Sequence, residues 1–406
     1  MTRFLIGDLR SGRNLMDLPV LSGSWQTGVD KAETLSASVD MSAEEVHLLK
    51  LRDLSTPGKA FIAAAEDDTI MGAGPIWVRK YDRDAAKLEL SGLGLWSLFD
   101  HRLILPLLAE TLDVTQWTVP DPSGPEKRVA NPLLTTQYMG IWWGTMAKRL
   151  VQQALSRTGG DLPMVFQPDE IDGDADHVKT YLGVDLKPVG EALKQLTELE
   201  GGCEIVFAPR FTSDKLGVEW VLQTGTADQP LLFSQSVPHW HVTVDDSPVS
   251  NLVISEDGSD LAVFGWASGG SQADDVILSR AFDQTLLSRG YPMVEATDTS
   301  HSTVSVQSTM DKYANQIVLN GRSSLENWSF TVESRPVDAD GDKAGPWVNE
   351  YRVGDFCDLT ISPFDPDTGE GDPYVKAAAT YRHRIVALSG DQDGDFIKVQ
   401  TVPEVL

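Results

Sequence analysis

With only two cysteines in 406 residues, Cys203 and Cys357, the chain has no disulfide framework, and two thiols alone do not make a zinc site. Both read as small buried hydrophobes. No run of about 18 apolar residues occurs, so no transmembrane helix is expected. The opening MTRFLIGDLRSGRN turns charged before it could build a signal-peptide core. The chain is therefore expected to be made and kept in the cytoplasm until assembled. Positive charge is short too: 33 Lys+Arg against 60 Asp+Glu give a formal −27. That balance opposes wrapping nucleic acid, which needs Lys and Arg on the phosphates, and opposes lying on an anionic membrane. A negative wall suits a passage through which DNA slides without sticking, because like charges repel; solubility alone is the other reading. There is no G-x-S-x-G nucleophile elbow and no Gly-Lys-Ser/Thr phosphate loop.

The most informative stretch is residues 60–104. An apolar run (Ala60–Ala65) turns at Glu66-Asp67-Asp68, a second run (Ile70–Tyr81) turns at Asp82–Ala85, and a third returns with Leu88 and Leu90 alternating. Period-two alternation bounded by Asp and Gly predicts antiparallel strands joined by hairpins. No polar cluster is aimed at a substrate here, which points to a building block.

The length predicts about two to four domains. Strands are expected at Phe4–Leu9, Leu15–Val20 and Leu35–Met41, and then a helix capped by Ser42 with Glu45 in a capping-box pattern. Residues 1–104 thus read as an N-terminal β-barrel. Pro106–Leu134 is rich in Pro, Gly and charge and reads as a long loop. Helices follow at Ile141–Thr158 and Val189–Leu199, each stopped by paired glycines, then strands at Cys203–Ala208 and Val218–Gln223. Residues 105–235 are therefore expected to form an α+β middle domain. Strand texture returns over 236–273 and 326–406, predicting a second β-barrel. Residues 274–325 interrupt it as a helical insertion (Ile277–Ser288 and Val304–Leu319, with Ser302 as N-cap) packed on the middle domain. The fold class expected is α+β, mainly β, with two tube-type barrels.

Three Asp ladders are the strongest metal-like signals: Asp172/Asp174/Asp176, Asp338/Asp340/Asp342 and Asp391/Asp393/Asp395. Calcium loops place oxygens at alternate positions but want Gly at position six and Glu at twelve. Neither is present, so acidic hairpin turns are expected, with a bound cation as the alternative. His239 and His241 lie on one strand face, about 7 Å apart by strand geometry. Zinc would need a further ligand such as Asp245, and an edge strand with Trp240 pointing inward is the simpler reading. His301-Ser302 is the one histidine–serine neighbour pair singled out for nucleophilic chemistry, and no carboxylate pair stands out for glycosidase work. Of the 11 Trp, Trp25, Trp77, Trp96, Trp220, Trp240, Trp266 and Trp328 sit in apolar patterns as core anchors. Trp142-Trp143 is the pair expected to be partly exposed, and a sugar platform is the alternative. No catalytic, cofactor-binding or metal residues are assigned, and no cofactor is expected.

The order of parts resembles the minor tail proteins of siphophages infecting actinobacteria, of the tail-hub or baseplate-hub type. The likeness is carried by LPVLSGSW (Leu18–Trp25), TLSASVDM (Thr34–Met41), Ile76–Ile104, Trp142–Phe166, Ser247–Ala262, Asp298–Val304 and HRIVALSGD (His383–Asp391). The resemblance implies a homotrimer in which each subunit supplies two related barrels to a ring continuing the tail tube. Its implied partners are the distal tail protein, the tape measure protein and other tip proteins, with DNA crossing the lumen without specific binding and no membrane contact. The location implied is the tail tip of a virion. Relatives often carry C-terminal lytic or fibre-attachment extensions; the sequence stops at Leu406 just after the second β-unit, so no lytic role is expected. A structural, non-enzymatic hub is thus the leading expectation. A receptor- or carbohydrate-binding tip adhesin is second, and a hydrolase third.

Overall fold

The computed structural model describes residues 2–170, 177–199, 201–226, 232, 237–244, 246–269, 276–301, 304, 306–375 and 379–404. The Asp172/Asp174/Asp176 ladder, Asp245 and Ser302 lie outside these residues. The fold is mainly β, and no described helix is long and apolar enough to cross a membrane.

Its centre is a 13-stranded sheet. From one edge the path runs Val249–Asp257, Leu325–Glu333, Phe396–Pro403, Ala379–Asp391, Ser22–Gly28, Thr34–Asp40, Lys87–Leu93, Thr69–Asp82, Ala60–Glu66, Arg3–Asp8 and Met16–Leu18. Phe356–Ile361 branches from Ala379–Asp391 and carries His239–His241 outside it. The meander of residues 60–104 is present as read. Among the described residues the path does not close on itself. The strands assigned to two separate barrels instead form one open sheet, joined where Ala387 to Asp391 pair antiparallel with Gly28 to Ser24. Gly390 leaves room for the Trp25 ring at that junction, since a Cβ there would stand a tight 3.0 Å from it.

Strand Ala60–Glu66 is buried along its whole length. Successive strand residues point to opposite faces. Phe61, Ala63 and Ala65 therefore enter one core, with the helices Trp143–Leu155 and Val189–Thr197. Ala60, Ile62 and Ala64 enter a second core, with Trp240, Trp328, Phe330, Leu359 and Val399 of the C-terminal strands. A strand covered on both faces reads as a continuous apolar run.

Several local expectations are corrected. Ser42 does not cap a helix: its N–H and hydroxyl both donate to Asp40, and a short helix, Glu44–His47, starts behind Ala43. Lys50 at φ 48° breaks it from a second, Leu51–Leu54. The expected loop Pro106–Leu134 contains a hairpin, Thr118–Asp121 with Gly124–Ala130. Ile277–Ser288 is not a helix. Ile277–Phe282 is a strand paired with Phe264–Gly269, and only Thr285–Ser288 is helical. The alternation of ILSRAF decides this, since Ser279 and Ala281 are buried while Leu278, Arg280 and Phe282 are exposed. Residues 274–325 therefore include two strands (the second Glu295–His301) and one long helix, Gln307–Asn320. That helix puts Met310, Tyr313, Ala314 and Val318 into the same core as the middle helices.

Candidate assembly interface

Among the described residues the main path of the sheet ends in two free edges, and His239–His241 ends its branch. Strand Val249–Asp257 pairs, among the described residues, only with Leu325–Glu333, through a bulge between Ser250 and Val253, and Val253 is exposed. The opposite edge, Met16–Leu18, is three residues long. Unpaired N–H and C=O groups on such edges are templates for another chain. The hairpin Thr118–Asp121/Gly124–Ala130 forms a two-stranded sheet of its own. An isolated pair of strands is marginal without a covering surface.

Buried polar contacts join the sheet to the middle unit. Arg384 grips Glu204 through both guanidinium ends. Asp30 accepts from the Ile205 N–H (2.7 Å), and its own N–H donates to the Ile205 carbonyl. Burial raises the Asp30 carboxyl to about 7, helped by Glu204 and opposed by the Ile205 hydrogen bond and Arg384. Three residues on, Glu33 is fully enclosed and accepts from the Ala73 N–H at 2.9 Å; burial raises it to about 8. Arg335 pairs with buried Glu66 (3.2 Å) and with Asp67, tying the first hairpin to the C-terminal half. Fully buried Lys148 is satisfied by the Pro168 carbonyl (2.6 Å) and by Asp169.

The residues flagged from sequence fall into non-catalytic settings. Asp338 accepts from the N–H groups of Asp340 and Asp342, and Asp391 from those of Asp393 and Gly394. Each ladder is thus a side-chain-capped turn. The His239 and His241 ring centres lie 4.3 Å apart on an edge strand, closer than strand spacing alone predicts. His239 Nε2 bonds Thr360 Oγ1 at 2.8 Å, and Trp240 points inward against Phe330 and Tyr351. Among the described residues no three His, Cys, Asp or Glu side chains gather as a metal would require. His301 is buried, bonded to Asp298 at 2.7 Å and stacked on Tyr313. The His301 contact holds Asp298 well below the usual carboxylate range. Cys203 and Cys357 are buried and free, and burial pushes both thiols up, away from reactivity. None of the eleven Trp is fully exposed; of the Trp142-Trp143 pair, Trp143 is buried and Trp142 half-buried.

Sequence reasoning missed Asp30, Glu33, Glu204 and Arg384, whose partners lie 40 to 180 residues away. No local spacing encodes such pairs. Asp30 and Glu33 lie in a loop, and Glu204 and Arg384 are only half-buried on their strands, so strand alternation marks none of them either.

No family model matches the chain, and no curated protein does. Solved structures do. A tail protein from Neisseria meningitidis aligns over 99% of this chain and 96% of its own, at 13% identity and a TM-score of 0.50. A 43 kDa tail protein of prophage MuSo2 from Shewanella oneidensis aligns over 99% and 98%, at 9% identity and 0.49. A prophage tail protein from Listeria monocytogenes aligns over 99% and 94%, at 8% identity and 0.44. At such identities the likeness speaks for fold: this chain is built, end to end, on the plan of the Neisseria tail protein.

Proposed function

We propose that the chain is a structural, non-enzymatic phage tail hub. In this reading three copies form a ring at the distal end of the tail tube, join tube to tip, and surround the path of exiting DNA. The observation that carries the reading is the whole-length likeness in fold to the Neisseria tail protein. Two features support it: the free edges at Val249–Asp257 and Met16–Leu18, which suit edge-to-edge pairing between copies, and the formal charge of −27, which suits a lumen that DNA must not adhere to. The two β-halves would act as the ring-forming units, with other tail proteins docking above and below. The siphophage affiliation, the distal tail and tape measure partners, and assembly in the host cytoplasm belong to the same proposal.

Native mass of the purified chain tests it. A trimer is expected, and Val253→Lys on the exposed edge is expected to weaken it while leaving subunit unfolding unchanged. A monomer that binds purified cell wall would favour an adhesin instead. Cell-wall hydrolysis abolished by one carboxylate substitution would overturn the non-enzymatic reading.

A further inference from the structure

Strand Val178–Leu182 turns Lys179 and Tyr181 inward and Thr180 and Leu182 outward. Between this strand and the helices Val189–Thr197 and Gln307–Asn320 lies a pocket lined by Val178, Lys179, Tyr181, Gln195, Val304 and Thr309. Lys179 is 8% exposed and Tyr181 4%. The Lys179 ammonium donates to the Tyr313 phenol oxygen at 3.1 Å and stands 5.3 Å from that ring's centre. An ammonium has three donors, and this is the one hydrogen bond found for it among the described residues. The charged neighbour acting on Lys179 is Lys187, another cation. Tyr181 Oη, on the same face of the strand, is buried with no hydrogen-bond partner among the described residues.

Among the described residues, then, one strand face turns into this pocket a buried cation with no counter-charge and a buried hydroxyl with no partner, which is unfavourable unless something completes both. We propose that this pocket is an anion site that takes a carboxylate group, with Lys179 Nζ as the charged donor and Tyr181 Oη as the second donor. Two donors match the two oxygens of a carboxylate. The carboxylate comes from a small free acid or from an acidic side chain of a neighbouring copy.

Other groups around the site set its pH behaviour. Burial, then Lys187, lowers the Lys179 amine to about 8. Burial, and after it the fields of Tyr181, Glu198 and Asp298, pushes Tyr313 far above the tyrosine range, so it stays neutral with His301 stacked against it. The ammonium therefore loses its proton at about 8, and anion affinity falls as pH rises through that value.

The test uses the full chain at neutral pH. Thermal unfolding is followed in sodium acetate and in sodium chloride at matched ionic strength, for the parent, Lys179→Met and Tyr181→Phe. Acetate is expected to raise the parent's Tm in a saturable way. Lys179→Met abolishes that increment, and Tyr181→Phe weakens acetate affinity by about three- to tenfold. Acylation of Lys179 followed by mass spectrometry, which acetate should slow, decides the matter if Lys179→Met does not fold. Equal effects of acetate and chloride in the parent, an undiminished increment in Lys179→Met, or acylation indifferent to acetate would overturn the proposal. Repeating the acylation on the assembled form separates the sources: protection without acetate identifies a neighbour's side chain, and protection only with acetate identifies a free acid. The acetate arm needs no assembly, so its failure leaves the hub reading untouched.

Discussion

Arg384 holds Glu204 with two parallel hydrogen bonds and thereby fastens strand Ala379–Asp391 of the large sheet to strand Glu204–Phe211 of the middle unit. Both side chains are mostly buried. Arg384→Met should leave the Glu204 carboxylate partly enclosed without its donor, costing about 1.5–3 kcal/mol. Urea titration should show a lower midpoint with an unchanged slope.

The loop before Thr34 carries two acids whose folded values lie above their unfolded ones, Asp30 at about 7 and Glu33 at about 8. The unfolded chain releases these protons near pH 4 to 4.5, while the folded chain keeps them. Their contribution is therefore full below about pH 4 and is lost progressively until about pH 8. Glu33→Gln should flatten this alkaline limb, and its Tm should exceed the parent's at pH 9.

His383 works in the opposite direction. It is buried against Trp328, bonded to Thr401 Oγ1 at 3.0 Å, and burial lowers it to about 4. An unfolded histidine charges near 6.5. The stability it contributes is present above that value and is lost as pH falls through about 4. His383→Gln should make the parent's acid limb shallower between pH 6.5 and 4 in Tm measurements.

Trp220 is fully buried, donates its indole N–H to the Ala73 carbonyl at 3.1 Å, and meets Phe61 edge-on at 5.4 Å. It is the plug between the middle unit and the first meander. Trp220→Ala should cost about 3–5 kcal/mol in denaturant unfolding.

Asp391 organises the last hairpin by accepting from two backbone N–H groups. Asp391→Ala should cost about 1 kcal/mol. Millimolar calcium should leave the parent's Tm unchanged if the ladder is a turn, and a calcium-dependent rise would restore the cation reading.

What could be read from the sequence was whatever is encoded within one element. The helices Trp143–Leu155, Val189–Thr197 and Gln307–Asn320 each show their apolar face at helical spacing. Gly159 and Gly201, both at positive φ, mark the stops of the first two. The strands of 60–93 declared themselves by alternation and acidic turns. Ile277–Phe282 reads as a helix from sequence because its apolar side chains Leu278 and Phe282 face out, and the inward alternation of Ser279 and Ala281 shows only once the partner strand is in place. The union of the two β-halves left no local mark, since Trp25 and Gly390 face each other across 365 residues of chain. The buried acids and the Lys179 pocket were illegible for the same reason: each is a meeting of distant positions.

The pairing of residues 24–28 with 387–391 also sets a timetable for synthesis. The strand Ser22–Gly28 leaves the ribosome about 360 residues before its neighbour on one side is made. A nascent chain can form the local meander but must hold that side open until residues 387–391 are made, so closing the sheet is a slow, non-local event. A truncated chain would present the bare flank of Ser22–Gly28 to solvent and aggregate or be degraded. Only subunits that have closed this seam would then be fit for incorporation, which ties multimer formation to the joining of the two β-halves.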